Sequence, residues 1–282
     1  MLSVYKNFLS VGDKTMKDID AVQNIRLFLF DMDGTLYIGN RLFNFTKELL
    51  ERIRKSGSRY LFMTNNSSKS VDDYVKKLKA LGIDADKEDF ITSSQATAIY
   101  LKENRPSDRL YVCGTKSLKK ELSGEGFTIT ESIEDTDCIV MGFDTELTFK
   151  KLEDVCKILL SKKVGYIATN PDLVCPTEYG SVPDCGSVCE MIYNATKMRP
   201  IVIGKPQPEM PLIAMKKYGI DKTQTAVIGD RIYTDIKSGI AAGALSILVM
   251  SGECDKQTLD NSDVKPDLVI DSAKEILDIL KS

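Results

Sequence analysis

The sequence predicts an α/β fold built on a parallel sheet. Two observations carry that reading. Short continuous apolar runs alternate with helix-like segments over most of the chain. The runs are also too continuous for strands with one wet face, which suits strands buried on both sides by crossover helices.

Taken in order, Ile25 to Phe30 is an apolar run broken only by Arg26 and predicts the first strand. Phe45 to Ser56 predicts a helix closed by Gly57, and Tyr60 to Met63 the second strand. A second helix, Val71 to Leu81, closes on Gly82. Towards the C-terminus, strands are predicted at Ala226 to Ile228, Ser246 to Val249 and Leu268 to Ile270, with helices at Asp235 to Ala242 and Ala273 to Leu280. Between these halves lie strand-like runs at Leu110 to Cys113, Phe127 to Ile129, Cys138 to Met141 and Gly165 to Ala168, with helices at Ser117 to Glu125 and Phe149 to Ser161. Periodicity alone leaves open whether this middle part continues the sheet or forms a second α/β unit. Residues 1–20 read as a polar extension.

Composition excludes whole classes of chemistry. The chain has no histidine, so a Ser-His-Asp triad, a phosphohistidine enzyme and a His-rich zinc site are all ruled out. No arginine lies six residues after a cysteine, which removes the Cys-x5-Arg phosphatase loop. Gly204-Lys205 is followed by Pro206, which removes a Walker A loop. The net charge of −3, with both signs interspersed, offers no basic stripe for nucleic acid. No apolar run approaches the roughly 18 residues of a membrane span, and the first 25 residues lack the apolar centre of a secretory signal. The expected compartment is the cytoplasm. The odd number of cysteines, seven, mostly in apolar segments, fits reduced thiols better than a disulfide framework.

Four segments carry candidate chemistry. Asp31-Met32-Asp33-Gly34-Thr35 follows the first strand, where open parallel sheets bind ligands. Met63-Thr64-Asn65-Asn66-Ser67 follows the second and offers hydroxyl and N–H groups to an anion. Gly204-Lys205 supplies one cation on a short loop. Gly229-Asp230-Arg231-Ile232-Tyr233-Thr234-Asp235 follows the strand Ala226 to Ile228. Each segment alone has a plainer reading: an Asx turn, a helix N-cap region, a surface lysine, and Asp235 as the cap of its helix. Together they put four carboxylates, a hydroxyl and a lysine at strand ends and on one loop. Asp31, Asp33, Asp230 and Asp235 would repel one another in one cleft unless a cation lay among them, and an oxygen-only set suits Mg²⁺.

In this order the four segments resemble the motifs of the haloacid-dehalogenase superfamily. The Gly-Asp-Arg-x-x-Thr-Asp form and Asn170-Pro171-Asp172 with Pro176-Thr177 resemble its NagD/4-nitrophenylphosphatase-like branch. The resemblance implies a Rossmann-like core, here 21–83 with 196–282, and an inserted α/β cap of substrate specificity at 84–195. It implies a phosphatase acting on small phosphate monoesters, with no nucleic acid or membrane partner; oligomeric state stays open. By position, Asp31 would be nucleophile and metal ligand, and Asp33 general acid and base, its main-chain carbonyl also on the metal. Thr64, Asn65 and Asn66, with Gly34, would hold the phosphoryl group. Lys205 would neutralise charge, and Asp230 and Asp235 would complete the Mg²⁺ site. Asn170, Asp172 and Cys185 to Ser187 would face the rest of the substrate. Asp-Cys before Gly186 departs from the small residues common in relatives and bears on substrate fit.

Asp33 favours a phosphatase over a dehalogenase, since a halide leaves without a proton. A phosphomutase and a catalytically weak binding or regulatory module are the alternatives. Cys175, Cys185 and Cys189 would make an incomplete zinc set.

Overall fold

The structure, a computed structural model, describes residues 16–177 and 179–281. Of the expected polar extension, residues 1–15 lie outside the described residues, and 16–20 belong to a helix, α1 (Met16–Gln23). The chain divides into two compact units. One comprises the described part of Met1–Met63 with Leu78–Ile91 and the described part of Pro206–Ser282. The other comprises Thr64–Lys77 and the described part of Thr92–Lys205.

Strand β1 (Leu27–Phe30) is followed by a small antiparallel hairpin, β2 (Tyr37–Ile38) and β3 (Arg41–Leu42), then helix α2 (Thr46–Lys55) and strand β4 (Arg59–Thr64). Helix α3 (Val71–Ala80), strand β5 (Phe90–Thr92) and helix α4 (Ser93–Asn104) come next. The next stretch carries β6 (Leu110–Cys113), α5 (Lys116–Gly124), β7 (Cys138–Met141), α6 (Phe149–Ser161), β8 (Gly165–Ala168), the antiparallel hairpin β9 (Val174–Thr177) and β10 (Gly180–Pro183), α7 (Cys185–Thr196) and β11 (Ile201–Val202). The chain ends with α8 (Glu209–Tyr218), β12 (Thr225–Gly229), α9 (Lys237–Ala242), β13 (Leu245–Val249), α10 (Lys256–Asn261), β14 (Leu268–Ile270) and α11 (Lys274–Lys281).

The main sheet has the order β14-β13-β12-β1-β4-β5, and the neighbours from β14 through β4 pair in parallel. Its central strands are buried on both faces, as the unbroken apolar runs require: Leu27 to Phe30 and Thr225 to Gly229 have no exposed position. From β1 the chain moves to β4 on one side and returns much later to β12 on the other. The sheet therefore has its topological switch at β1 and β12, where open α/β sheets bind ligands.

The middle of the chain does not extend this sheet. It forms a second parallel sheet of order β11-β8-β7-β6, closed over its own core by α6 and α7. Ile139, Met141, Val155, Ile158, Ala168 and Ile192 are central to that core. The strand expected at Phe127 to Ile129 is reduced to one bridge, Leu110 with Ile129. Gly126, at φ +96°, turns the chain sharply just before it. The polar run from Thr130 then folds on itself, with the Thr130 hydroxyl accepting from Ser132 N, and pairing stops after one contact.

Candidate active site

Two of the three carboxylates of the site leave adjacent strands at the switch point. Asp31 follows β1, and its N–H donates to the Ile228 carbonyl of β12 at 2.8 Å. Asp230 follows β12 directly. Asp235 comes from a π-helical turn, Ile232–Ile236, in which the Asp235 and Ile236 N–H groups both donate to the Arg231 carbonyl, at 3.0 and 3.3 Å. Such a widened turn is common at functional sites. Asp235 does not cap helix α9. Its Oδ2 instead accepts the Arg231 N–H at 3.1 Å, and the residue is fully buried.

Ligand oxygens of Asp31, Asp230 and Asp235 lie within 4.8 Å of one another, the one such group among the described residues. The Asp33 side chain is outside this group, and the residue is exposed. Two glycines make the close approach possible. A Cβ on Gly34, which sits at φ +84°, would stand 2.3 Å from Asp230 Oδ2, and one on Gly229 would stand 2.3 Å from the Asp235 carboxyl. That is the physical content of the Asp-x-Asp-Gly and Gly-Asp patterns.

Burial first, then the neighbouring charges of Asp31 and Asp235, push Asp230 up to about 8. Its two oxygens have different surroundings. Oδ2 accepts the Glu253 N–H at 2.7 Å, while Oδ1 is buried and has no hydrogen-bond partner. A buried carboxylate oxygen without a donor, beside two more carboxylates, fits a hard divalent cation that prefers oxygen ligands.

The sequence reading missed a third strand end. After β13, Ser251-Gly252-Glu253 closes over Asp230. Ser251 Oγ donates to the Gly34 carbonyl at 2.7 Å, and Cys254 N–H donates to the Asp230 carbonyl at 3.2 Å. A Cβ on Gly252 would come within 2.0 Å of Asp230 Oδ2. The only signal in the sequence was a Ser-Gly turn pair after an apolar run. Gly252→Ala is therefore expected to displace Asp230 and lower turnover by about 100-fold, with a matching loss of metal-induced stabilisation. The control is Gly124→Ala, where a new Cβ meets nothing within 4 Å. Equal behaviour of the two variants in turnover and thermal melts would exclude the role assigned to the loop.

The other candidate residues form a separate network in the second unit. Thr64, the last residue of β4, accepts the Asn66 N–H on its hydroxyl at 3.2 Å. Asn66 Oδ1 in turn accepts from Ser68 N at 3.0 Å and Ser68 Oγ at 2.7 Å, so Asn66 shapes the turn. Asn65 grips Lys205 as one peptide grips another. Its Oδ1 accepts the Lys205 N–H at 2.8 Å, and its Nδ2 donates to the Lys205 carbonyl at 2.9 Å. Gly204 has to be glycine here, since a Cβ would stand 2.5 Å from the Thr169 carbonyl and 2.6 Å from Asn65 Oδ1. Lys205 itself is buried.

Asn170 and Asp172 are buried partners of this brace. Asn170 Nδ2 donates to the Asn65 carbonyl at 2.8 Å, and its Oδ1 accepts the Asp172 N–H at 3.0 Å. Asp172 Oδ2 accepts from Asn65 Nδ2 at 3.1 Å. Asp184 caps α7 by accepting the Cys185 N–H on Oδ1. All seven cysteines are free thiols, and no metal-binding thiol group occurs among the described residues.

The fold is thus a parallel α/β sheet that gathers three carboxylates at its switch point, where they could hold a cation. Residues 28–128 match the haloacid dehalogenase-like hydrolase model, and residues 202–276 match a HAD-hydrolase-like model. An acid sugar phosphatase of Staphylococcus aureus is 33% identical over 245 residues, covering 87% of this chain and 94% of that protein. A 4-nitrophenylphosphatase structure from Thermotoga maritima is 39% identical, with a TM-score of 0.87, covering 92% of this chain and 98% of that one. A glycerol phosphate phosphatase from Mycobacterium tuberculosis, solved in complex with calcium, is 30% identical with a TM-score of 0.83, covering 91% and 76%. The chain belongs to the haloacid dehalogenase-like hydrolase family, in its NagD/4-nitrophenylphosphatase-like branch.

Proposed function

We propose that the chain is a Mg²⁺-dependent phosphatase that hydrolyses small phosphate monoesters through an aspartyl-phosphate on Asp31. The observation that carries this reading is the Asp31, Asp230 and Asp235 cluster, with the unpartnered Oδ1 of Asp230 inside it. Those three side chains and the Asp33 carbonyl would hold Mg²⁺. The ion supplies positive charge against the equatorial phosphoryl oxygens, where negative charge spreads in the transition state.

The chain's own groups do the rest. Asp31 attacks phosphorus as the ester P–O bond breaks, and Asp33 gives its proton to the departing oxygen. Asp33, now ionised, takes a proton from water, and that water attacks phosphorus and releases Asp31. An ordinary aspartate is ionised at neutral pH, so Asp33 needs the negative charge of Asp31 and the substrate to keep its proton. In this reading the Thr64 hydroxyl, the main-chain N–H groups around Gly34, Asn65 and Asn66, and Lys205 hold the phosphoryl group. Asn170 and Asp172 act on it through Asn65. The insert at 84–195 serves as the cap that meets the leaving group, and the compartment is the cytoplasm. No helix among the described residues is long and apolar enough to cross a membrane.

The metal part of this reading has a stability test. Ligand at about 100 times its Kd adds about 2.7 kcal/mol, on the order of 5 °C in Tm for a chain of this size. Asp230 has a folded pKa raised from 3.8 to about 8, so the folded state holds its proton more tightly than the unfolded chain. Metal-free protein should therefore lose stability as pH rises from near the unfolded value of 3.8 through about 8. Mg²⁺ replaces that proton, so the Mg²⁺-induced rise in Tm should be larger at pH 8.5 than at pH 5. Should EDTA change neither Tm nor activity, the carboxylates are structural and the reading is wrong.

A further inference from the structure

Glu253 makes three contacts beside this cluster, one of them to a cluster member. Its N–H donates to Asp230 Oδ2 at 2.7 Å. Its carboxylate takes Arg231 Nε at 2.7 Å on one oxygen and the Tyr233 hydroxyl at 2.7 Å on the other. Arg231 and Tyr233 lie inside the Gly-Asp-Arg-x-x-Thr-Asp segment, and Glu253 comes from a different strand end.

Arg231 is a fixed positive charge next to a cation site. An arginine guanidinium stays charged at any working pH. Its side chain is 21% exposed, so water screens it little. A guanidinium free to swing would meet the same carboxylates that a divalent cation needs, and its fork matches a carboxylate well. Glu253, 40% exposed at its side chain, offers it a partner outside the cluster.

We infer that Glu253 is a positioning residue that draws the Arg231 guanidinium aside, so that Arg231 does not compete with a divalent cation for the Asp31, Asp230 and Asp235 carboxylates. This rests on the Mg²⁺ reading of the site. Tyr233 steadies the Glu253 carboxylate in that role.

Mg²⁺ binding to the EDTA-stripped, full-length protein, measured by calorimetry, tests the inference without relying on turnover. Glu253→Gln keeps the N–H to Asp230 and an acceptor for Tyr233 but loses the charge that holds Arg231. Its Mg²⁺ Kd should weaken by about tenfold or more. Adding Arg231→Gln removes the competing charge, and the double variant should return to within about twofold of wild type, as a coupled pair requires. Tyr233→Phe, which removes neither charge and only the hydroxyl that steadies Glu253, should weaken binding by about threefold and serves if Glu253→Gln does not fold. Wild-type affinity in Glu253→Gln, or a double variant as weak as Glu253→Gln alone, overturns the inference and leaves the metal site standing. No Mg²⁺ binding by wild type, or unchanged binding in Asp230→Asn, brings down the metal site and the inference with it.

Discussion

Asp31→Asn is expected to lower turnover of any phosphate ester by at least about 10⁴-fold, in the range seen when a residue of a catalytic nucleophile unit is removed. The amide has the same shape, so the β1 end should hold its form, and what is lost is the electron pair that attacks phosphorus. The substitution also removes one of the like charges that raise Asp230. The metal-free variant should therefore melt no lower than wild type, and higher at pH 8 than at pH 5 by comparison with it. The two readouts move in opposite directions, which separates loss of chemistry from loss of fold. A variant that keeps a tenth of wild-type turnover would take Asp31 out of the mechanism.

The second large effect is kinetic. Asp33→Asn should still accept phosphate from 4-nitrophenyl phosphate, because 4-nitrophenolate leaves largely unaided. It should fail to hydrolyse the phospho-enzyme, because no base is left to take a proton from water. Rapid mixing should show a nitrophenol burst near one equivalent per enzyme and then a stall. An alkyl phosphate, whose alkoxide needs the proton, should give no burst. Phosphate should be recoverable on Asp31. The structure gives this experiment its clean contrast, since the Asp33 side chain lies outside the carboxylate cluster that would hold the metal. Steady turnover at wild-type rate on aryl and alkyl esters alike would give the proton to another residue. It would also remove the reason for preferring a phosphatase to a dehalogenase.

Much of both parallel sheets was legible because a parallel sheet writes itself as unbroken apolar runs. Strands β6, β7, β8 and β14 fall where the runs predict them, and β1, β4, β12 and β13 differ only at their ends. Helices without a polar face were not legible. Helix α4 opens Ser93-Ser94-Gln95-Ala96-Thr97, and its small polar residues are mostly buried, so no stripe marks it. Helix α8 carries Pro211 in its first turn, which reads as a break unless the helix start is already known. The β9–β10 hairpin hid behind Pro176 and Pro183.

The site divided in the same way. Asp31, Asp230 and Asp235 are gathered by their side chains, and side chains are what a sequence displays. Gly252 acts by having no side chain, and Glu253 partly through its N–H. Neither role has a residue-type signature. Asn65 is a further case. Its main-chain N–H was the group expected to meet an anion, while its side chain is spent on Lys205, a brace that no residue-type pattern displays.

The Asn65 brace also limits how this protein can be recombined with its relatives. Thr64 opens the second unit and Lys205 closes it, with Asn170 and Asp172 in between. A chimera cut at 84 and 195 would draw Asn170 and Asp172 from the donor and leave Asn65 and Lys205 with the recipient. The four residues are joined by direct hydrogen bonds, from Asn170 to Asn65, from Asn65 to Asp172 and between Asn65 and Lys205. Grafting a new specificity onto this scaffold thus means matching Asn65 across the seam, or moving the outer crossovers to 64 and 205 so that the lysine travels with the residues that hold it, while Leu78–Ile91 stays with the first unit.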